Sequence, residues 1–331
     1  MILIITNKED VHPTPVIKHL NKRGISVFRL NTECLLTDYE FNWQCERNKV
    51  DFYIRNVRNG IEIYGHDITA VWERRPENPK TLPLKNCEGI NKHNLAEARE
   101  FLSFLLYYLS SSFCIGHHLY DRSAASKMLQ LQIASELGMQ VPATIFSNRK
   151  EDIVGFAKQY NNIVLKQIDN APLWINDKYE YVFYTRKLLA SQLEDQPEEA
   201  FVQTVSFVQN YIEKQFELRI TVVCDDVFAC KIDSQIMGAE KGAIDWRQGY
   251  DYGLRHEIYK LPESIAEFCR NFLQKMHLNF GCFDLIVTPN GEYVFLECNP
   301  NGQWLWIEDA TGLSISEAIA TNLANPPKKY E

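Results

Sequence analysis

FDLIVTPNGEYVFLECNPNGQWLW, residues 283–306, reads as two strands folded back on each other at Pro289-Asn290-Gly291, with Asp284 on the first and Glu297 and Asn299 on the second. Side chains on a strand alternate between faces, so Glu297 and Asn299 share one, and the turn returns Asp284 beside them. Three hard oxygen donors meeting at one point suit Mg²⁺, which takes carboxylate and carbonyl oxygens together with nucleotide phosphates rather than an all-protein cage. Asp284 lies between Gly281-Cys282-Phe283 and Leu285-Ile286-Val287, and Glu297 follows Phe295-Leu296. An unpaired charge in such a run is costly, so something must neutralise each carboxylate. A metal ranks ahead of a structural salt bridge in that role, and the wet strand face that is the commoner fate of strand carboxylates is weakened by these apolar neighbours. The hairpin therefore points to ATP.

The remainder of the chain is that of an ordinary globular protein. Its 331 residues are 45% hydrophobic and 24% charged, enough for two or three subdomains. The net charge of −8 and the lack of a basic stripe argue against a nucleic-acid partner, whose phosphates need clustered Lys and Arg. Nine scattered cysteines without a C-x-x-C pair form neither a disulfide framework nor a zinc site, and fit a reducing cytoplasm. The opening MILIIT is a buried first strand, too short for a signal peptide, and no run approaches the length of a membrane span.

Along the chain, a strand at 1–6, a helix from Pro13 to about Arg23 stopped by Gly24, and a strand at 25–30 make a β-α-β start and imply a parallel pair. Two or three antiparallel strands follow at 38–64 with a turn at Asn59-Gly60, then a strand at 68–72 that runs into Glu73-Arg74-Arg75-Pro76. Helical periodicity covers 94–108 and 123–137. Further expected elements are a strand at VPATIF, a helix near 150–160 and a strand at 163–166. The acidic run LEDQPEEA reads as an exposed loop, and a strand follows at 201–205. Helices are expected at about 263–276 and 314–324. These elements predict a mixed α+β and α/β chain divided at 1–118, 119–205 and 206–331.

Two lysines and two arginine-bearing segments complete the candidates. Lys166 closes the strand NNIVLK, where a phosphate could sit, and Lys127 lies on the helix upstream; either alone would be an ordinary surface charge. No G-x-x-x-x-G-K-[ST] and no G-x-G-x-x-G occurs, so any nucleotide is held without a P-loop or Rossmann turn. The segment Gln209-Asn210-Tyr211-Ile212 could offer backbone groups to an adenine edge. Beyond it, Glu217 could take ribose hydroxyls and Arg219, on the same face, a phosphate. A plain Glu217–Arg219 pair with no ligand explains this segment nearly as well. Asp245-Trp246-Arg247 in a glycine-flanked loop is either a binding site or a cation–π staple.

This order of residues resembles the ATP-grasp superfamily and within it the microviridin-type peptide ligases, or graspetide synthetases. The stretches that carry the likeness are MILIITN, FRLN, WERRP, KMLQLQIASELGMQVPAT, YIEKQFELRITVV, IDWR and the hairpin through IEDATGL, and they span nearly the whole chain. The resemblance implies an ATP-grasp fold: an N-terminal α/β domain, a central lid and a C-terminal nucleotide-binding subdomain. It implies ATP and Mg²⁺ as cofactors, with Asp284, Glu297 and Asn299 on the metal. Lys127 and Lys166 would hold phosphates, Gln209, Tyr211 and Ile212 the adenine, and Glu217 the ribose. Arg219 and Arg247 would offset charge on the transferring phosphoryl group, and Arg74 and Arg75 would hold the substrate carboxylate or the acyl phosphate. The implied partner is a ribosomal precursor peptide, leader plus core, whose Asp or Glu is phosphorylated and closed into an ω-ester or ω-amide ring by Thr, Ser or Lys. A homodimer is a further expectation. The chain departs from many ATP-grasp enzymes in that QIDNAPLWINDKYEYVFYT, after Lys166, has no glycine for a flap over the γ-phosphate. A glutamate-ligase or glutathione-synthetase type of enzyme is the rival, and a nucleotide-dependent binding module without turnover is the reading from another class.

Overall fold

The computed structural model describes residues 1–169, 173–175, 179–181, 183–237, 244–247 and 254–326. Ile2–Thr6 is buried along its whole length, as a parallel strand covered on both faces requires. It pairs in parallel with Val27–Asn31 on one side and Ala70–Glu73 on the other, and Phe113–Ile115 extends the sheet. Helix Pro13–Lys22 makes the first crossover, with proline at its start and Gly24 at φ +70° beyond its end. Tyr39–Glu46, Lys49–Asn56 and Glu62–Tyr64 form a separate antiparallel sheet, as the turn at Asn59-Gly60 predicts. Helix Glu88–Leu109 is longer than the expected 94–108.

Two antiparallel sheets make up the second half. Arg186–Leu189, Asn162–Lys166, Ser206–Asn210 and Thr144–Ser147 lie in that order in one. In the other the order is His256–Ile258, Asp226–Ile232, Phe216–Val223, Phe280–Val287 and Tyr293–Asn299. Helix Glu263–Lys275 buries Phe268 and Phe272 against Phe283 and Phe295 on one face of this five-stranded sheet. Ile2, Ile4, Trp72 and Ile115 of the parallel sheet share a core with Val223, Phe280 and Ile319 on the other. The N-terminal sheet is therefore docked by burial and not merely tethered by a linker.

Three expectations are corrected. The single helix over 123–137 is two, His118–Ala124 and Lys127–Glu136, because Ser126 is extended and its Oγ accepts from Leu129 N at 3.4 Å as an N-cap. Lys127 thus opens a helix instead of riding within one. The strand expected at 201–205 lies at Ser206–Asn210; Phe201 instead ends the helical turn Glu198–Phe201, whose two glutamates after Pro197 suit a helix start. That turn and helix Ala190–Glu194 also replace part of the acidic loop. Helix Leu305–Thr311, ended by Gly312 at φ +76°, was not foreseen. Among the described residues no helix is long and apolar enough to cross a membrane.

Candidate active site

Between the two antiparallel sheets opens a cavity of about 440 Å³. Its charged floor comes from strand register. Arg219 stands opposite Asp284, and Asp284 opposite Glu297, so three neighbouring strands each contribute one charged side chain to a row. Next in the ladder Leu285 pairs with Phe295, which leaves Leu296 as an extra residue on its strand. This bulge lets two consecutive side chains, Leu296 and Glu297, line the cavity together, which strict alternation would forbid.

Salt bridges, ranked below a metal by the sequence reading, hold both carboxylates. Arg219 Nη1 donates to the two oxygens of Asp284 at 3.0 and 2.9 Å, and Arg219 Nη2 donates to Gln303 O at 3.1 Å. The Lys127 ammonium pairs with Glu297 Oε2. Burial and the Glu297 charge push the Asp284 carboxyl up while Arg219 opposes them; the doubly accepted Arg219 contact is that of an ionised pair. Burial alone would also raise Glu297, but Lys127 and Lys166 outweigh it and hold its carboxyl at about 2. A carboxylate offers roughly four lone-pair sites, so these pairs leave room for a cation. Asp284, Glu297 and Asn299 all line the cavity, and two carboxylates with an amide oxygen form a donor set that fits Mg²⁺.

Lys166 ends strand Asn162–Lys166 with its ammonium 5.8 Å from the Phe207 ring centroid. Burial lowers its pKa, and the nearby Lys127 lowers it further against the pull of Glu297. An added anion such as a phosphate would relieve that imbalance. Lys166→Ala should therefore weaken ADP binding by about 10- to 100-fold, the worth of a charge-assisted bond, while affinity for a second substrate changes less. Calorimetry giving the opposite order would remove its phosphate role.

At the other end, Gln209, Tyr211 and Ile212 line the cavity with Val164 and Ile286. Gln209 Nε2 donates to Thr144 Oγ1 at 3.0 Å, and the Lys187 ammonium stands 3.8 Å from the Tyr211 ring centroid. Glu217 does not pair with Arg219. It takes Lys214, to which the sequence reading gave no role of its own, and accepts from Ser234 Oγ at 3.1 Å. Burial raises the Glu217 carboxyl against the Lys214 charge.

Arg247 lines the cavity and is held by Asp245, through Nε at 2.8 Å and Nη2 at 2.6 Å, which raises its pKa. Trp246 packs instead on Trp306, with ring centroids 5.3 Å apart. The flanks of this segment, and part of the glycine-free stretch after Lys166, lie outside the described residues. Within that stretch Leu173–Ile175 and Tyr179–Tyr181 form an antiparallel pair. Arg75 lines the cavity, but Arg74 is placed elsewhere. It is 1% exposed, and its Nη1 donates to Asn301 O at 2.6 Å, so it holds the loop after Asn299 and not the substrate carboxylate expected of it. Burial and the Arg75 charge draw its pKa down to about 10.

Residues 1–121 match the family described as the MvdD pre-ATP grasp domain, and residues 124–323 the RimK-like ATP-grasp domain. A Chryseobacterium gregarium RiPP-associated ATP-grasp ligase, solved with ADP and a leader and core peptide, superposes with a TM-score of 0.89 at 28% identity, over 98% of this chain and 97% of that one. The macrocyclase MdnC of Microcystis aeruginosa MRC, bound with precursor peptide MdnA, gives 0.85 at 29% identity over 99% and 100%. A probable alpha-L-glutamate ligase of Vibrio atlanticus (strain LGP32) is 24% identical over 76% of this chain and 78% of its own.

Proposed function

The chain belongs to the RimK-like ATP-grasp family, and from that premise we propose that it is an ATP-dependent ligase that closes macrocycles in a ribosomal precursor peptide. The observation that carries this reading is the cavity's division of labour. A nucleotide needs the apolar end at Tyr211 and Ile212 and the charged row at Arg219, Asp284 and Glu297. Arg75, Trp246, Arg247 and Trp306 also line the cavity and remain for a second, acidic substrate. The full-length likeness to ligases solved with precursor peptides supports a peptide in that place.

The reaction has two displacements. A carboxylate oxygen of a core Asp or Glu forms a bond to the γ-phosphorus as the bond to ADP breaks. A Thr or Ser hydroxyl then adds to the acyl carbon, phosphate leaves, and the hydroxyl proton is lost, giving an ω-ester; a Lys amine in the same place gives an ω-amide. Lys127 and Lys166 hold the phosphates, Gln209 to Ile212 the adenine and Glu217 the ribose. Arg219 and Arg247 offset charge on the transferring group. Asp284, Glu297 and Asn299 would hold Mg²⁺, which supplies neutralisation of the phosphate oxygens. Arg75 receives the substrate carboxylate.

Incubated with ATP, Mg²⁺ and a precursor rich in Thr and Glu or Asp, the protein should remove the mass of one water per ring. Unchanged mass with every candidate precursor would sink this reading and favour a glutamate-ligase type of acceptor. No disulfide joins cysteines among the described residues, which supports a cytoplasmic setting. A homodimer is supported by the exposed aromatic side chains of Trp43 and Phe104, 51% and 61% exposed, and sedimentation showing only monomer would remove it.

A further inference from the structure

We infer that Asn7 is a positioning residue for Arg75, setting its guanidinium to receive the reactive carboxylate; the nature of that ligand rests on the peptide-ligase reading. Arg74 N donates to Ile5 O at 2.8 Å, so sheet bonding runs one residue past strand Ala70–Glu73 and Arg75 is the first residue clear of it. It turns there with φ at +50°, a conformation uncommon for a residue with a side chain and one that gathers at functional sites. An arginine where glycine would be easier needs something to hold it.

Asn7 does so from the end of the neighbouring strand. Its Nδ2 donates to Arg75 O at 2.9 Å, while its Oδ1 accepts from Asp10 N at 2.9 Å. The side chain is 7% exposed and both of its amide ends are used. The loop that carries it is itself fixed: Arg29 Nη2 donates to Asn7 O at 2.6 Å and Asp10 O at 3.0 Å, and Arg29 Nε donates to Asn31 Oδ1 at 2.9 Å. Arg75 Nε reaches Asn301 O at 3.4 Å, two residues beyond Asn299. The chain thus runs by hydrogen bonds from Arg29 to Asn7 to Arg75 and on to the metal hairpin. Both strand ends lie at the carboxyl edge of the parallel sheet, where open α/β sheets receive ligands.

Asn7→Asp isolates the donated bond: it keeps the shape and the acceptor for Asp10 N but cannot donate to Arg75 O. The probe is an N-acetylated, C-amidated Thr-Glu dipeptide, titrated by NMR with ADP and Mg²⁺ present, beside its Thr-Gln counterpart. The wild type should prefer the Glu peptide. Asn7→Asp and Arg75→Ala should each weaken it by about tenfold, the double variant no further than either alone, with ADP affinity within about twofold, since residues acting through one group do not add. Asn7→Ala, which introduces no charge, should give the same order, and its thermal melt checks that it folds. Equal binding of the Glu and Gln peptides by the wild type overturns the inference. So do unchanged Glu-peptide affinity in both Asn7 variants, additive losses in the double variant, or an equal loss for ADP. If the affinities behave as expected while no precursor loses water, the macrocyclase reading fails and the role of Asn7 stands.

Discussion

Glu297→Gln should lower ADP release by about 100- to 1000-fold or more, the scale on which a preorganised charge at a transferring phosphoryl group acts. The amide keeps the volume of the carboxylate but gives up its charge, so two ammoniums, Lys127 and Lys166, lose the anion they share. Its NH₂ group is also a donor facing Lys127, a donor itself. The stability cost is appreciable as well. Lys127 and Glu297 are only 14% and 26% exposed in their side chains, and removing one partner of a pair so buried leaves the ammoniums uncompensated and costs about 3 kcal/mol. The two readings of the hairpin separate here: a purely structural ion pair would show a lowered melting temperature with ADP release intact, and that outcome would remove the metal assignment. The pH dependence has a defined sign. Because the folded-state value, about 2, is depressed below the ordinary 4.5, the ionised pair stabilises the fold above pH 4.5 and that part is lost as pH falls towards 2. The acid limb of a stability profile should be shallower in Glu297→Gln over that window.

What could be read from the sequence was what local period and composition encode. Asp284 and Glu297 could be found because a carboxylate amid Phe, Leu, Ile and Val demands a partner wherever the strand lies. The parallel start was legible because an unbroken apolar run with a helix between two copies admits few topologies. The bulge at Leu296 was not, since an extra residue in one strand leaves its apolar pattern unchanged and shows only against the partner's register. Ser126 is equally silent: its hydroxyl caps the second helix, and the periodicity runs through it. The partners of the charges were the largest gap. Arg219 could have met Glu217 two residues away, and it meets Asp284, 65 residues on, because Phe280–Val287 pairs directly with Phe216–Val223 in a register that places Asp284 opposite. Arg74 and Arg75 are neighbours of the same type, and only the left-handed turn at Arg75 sends one into the cavity and the other into the interior.

Gly302→Ala should cost both stability and catalysis, and for reasons of space. A methyl group there would lie 2.4 Å from Cys282 Cβ, 2.7 Å from Cys282 Sγ and 2.8 Å from Arg219 Nη2, all well inside contact distance. Cys282 Cβ cannot withdraw, because it is fixed to a central strand that is buried on both sides. The loop carrying Asn299, Asn301 and Gln303 must therefore move, and with it the carbonyl on which Arg219 Nη2 rests and the one that holds Arg74. Overpacking of this kind costs about 1–3 kcal/mol, and misplacing a charged group by about 1 Å can cost roughly 100-fold in rate. We expect a melting temperature lower by several degrees and kcat for ring closure down by about 100-fold, with ADP affinity affected less. Cys282→Ala in the same chain should not restore activity, since it removes the sulfur and leaves the Cβ at 2.4 Å. Gly291→Ala is the contrasting variant: nothing lies within 4 Å of its added methyl, but its φ of +81° strains any side chain, so it should lower the melting temperature and leave kcat unchanged. A Gly302→Ala protein that melts early yet closes rings at the normal rate would show that the 299–303 loop serves the fold and does not set Arg219 for the chemistry.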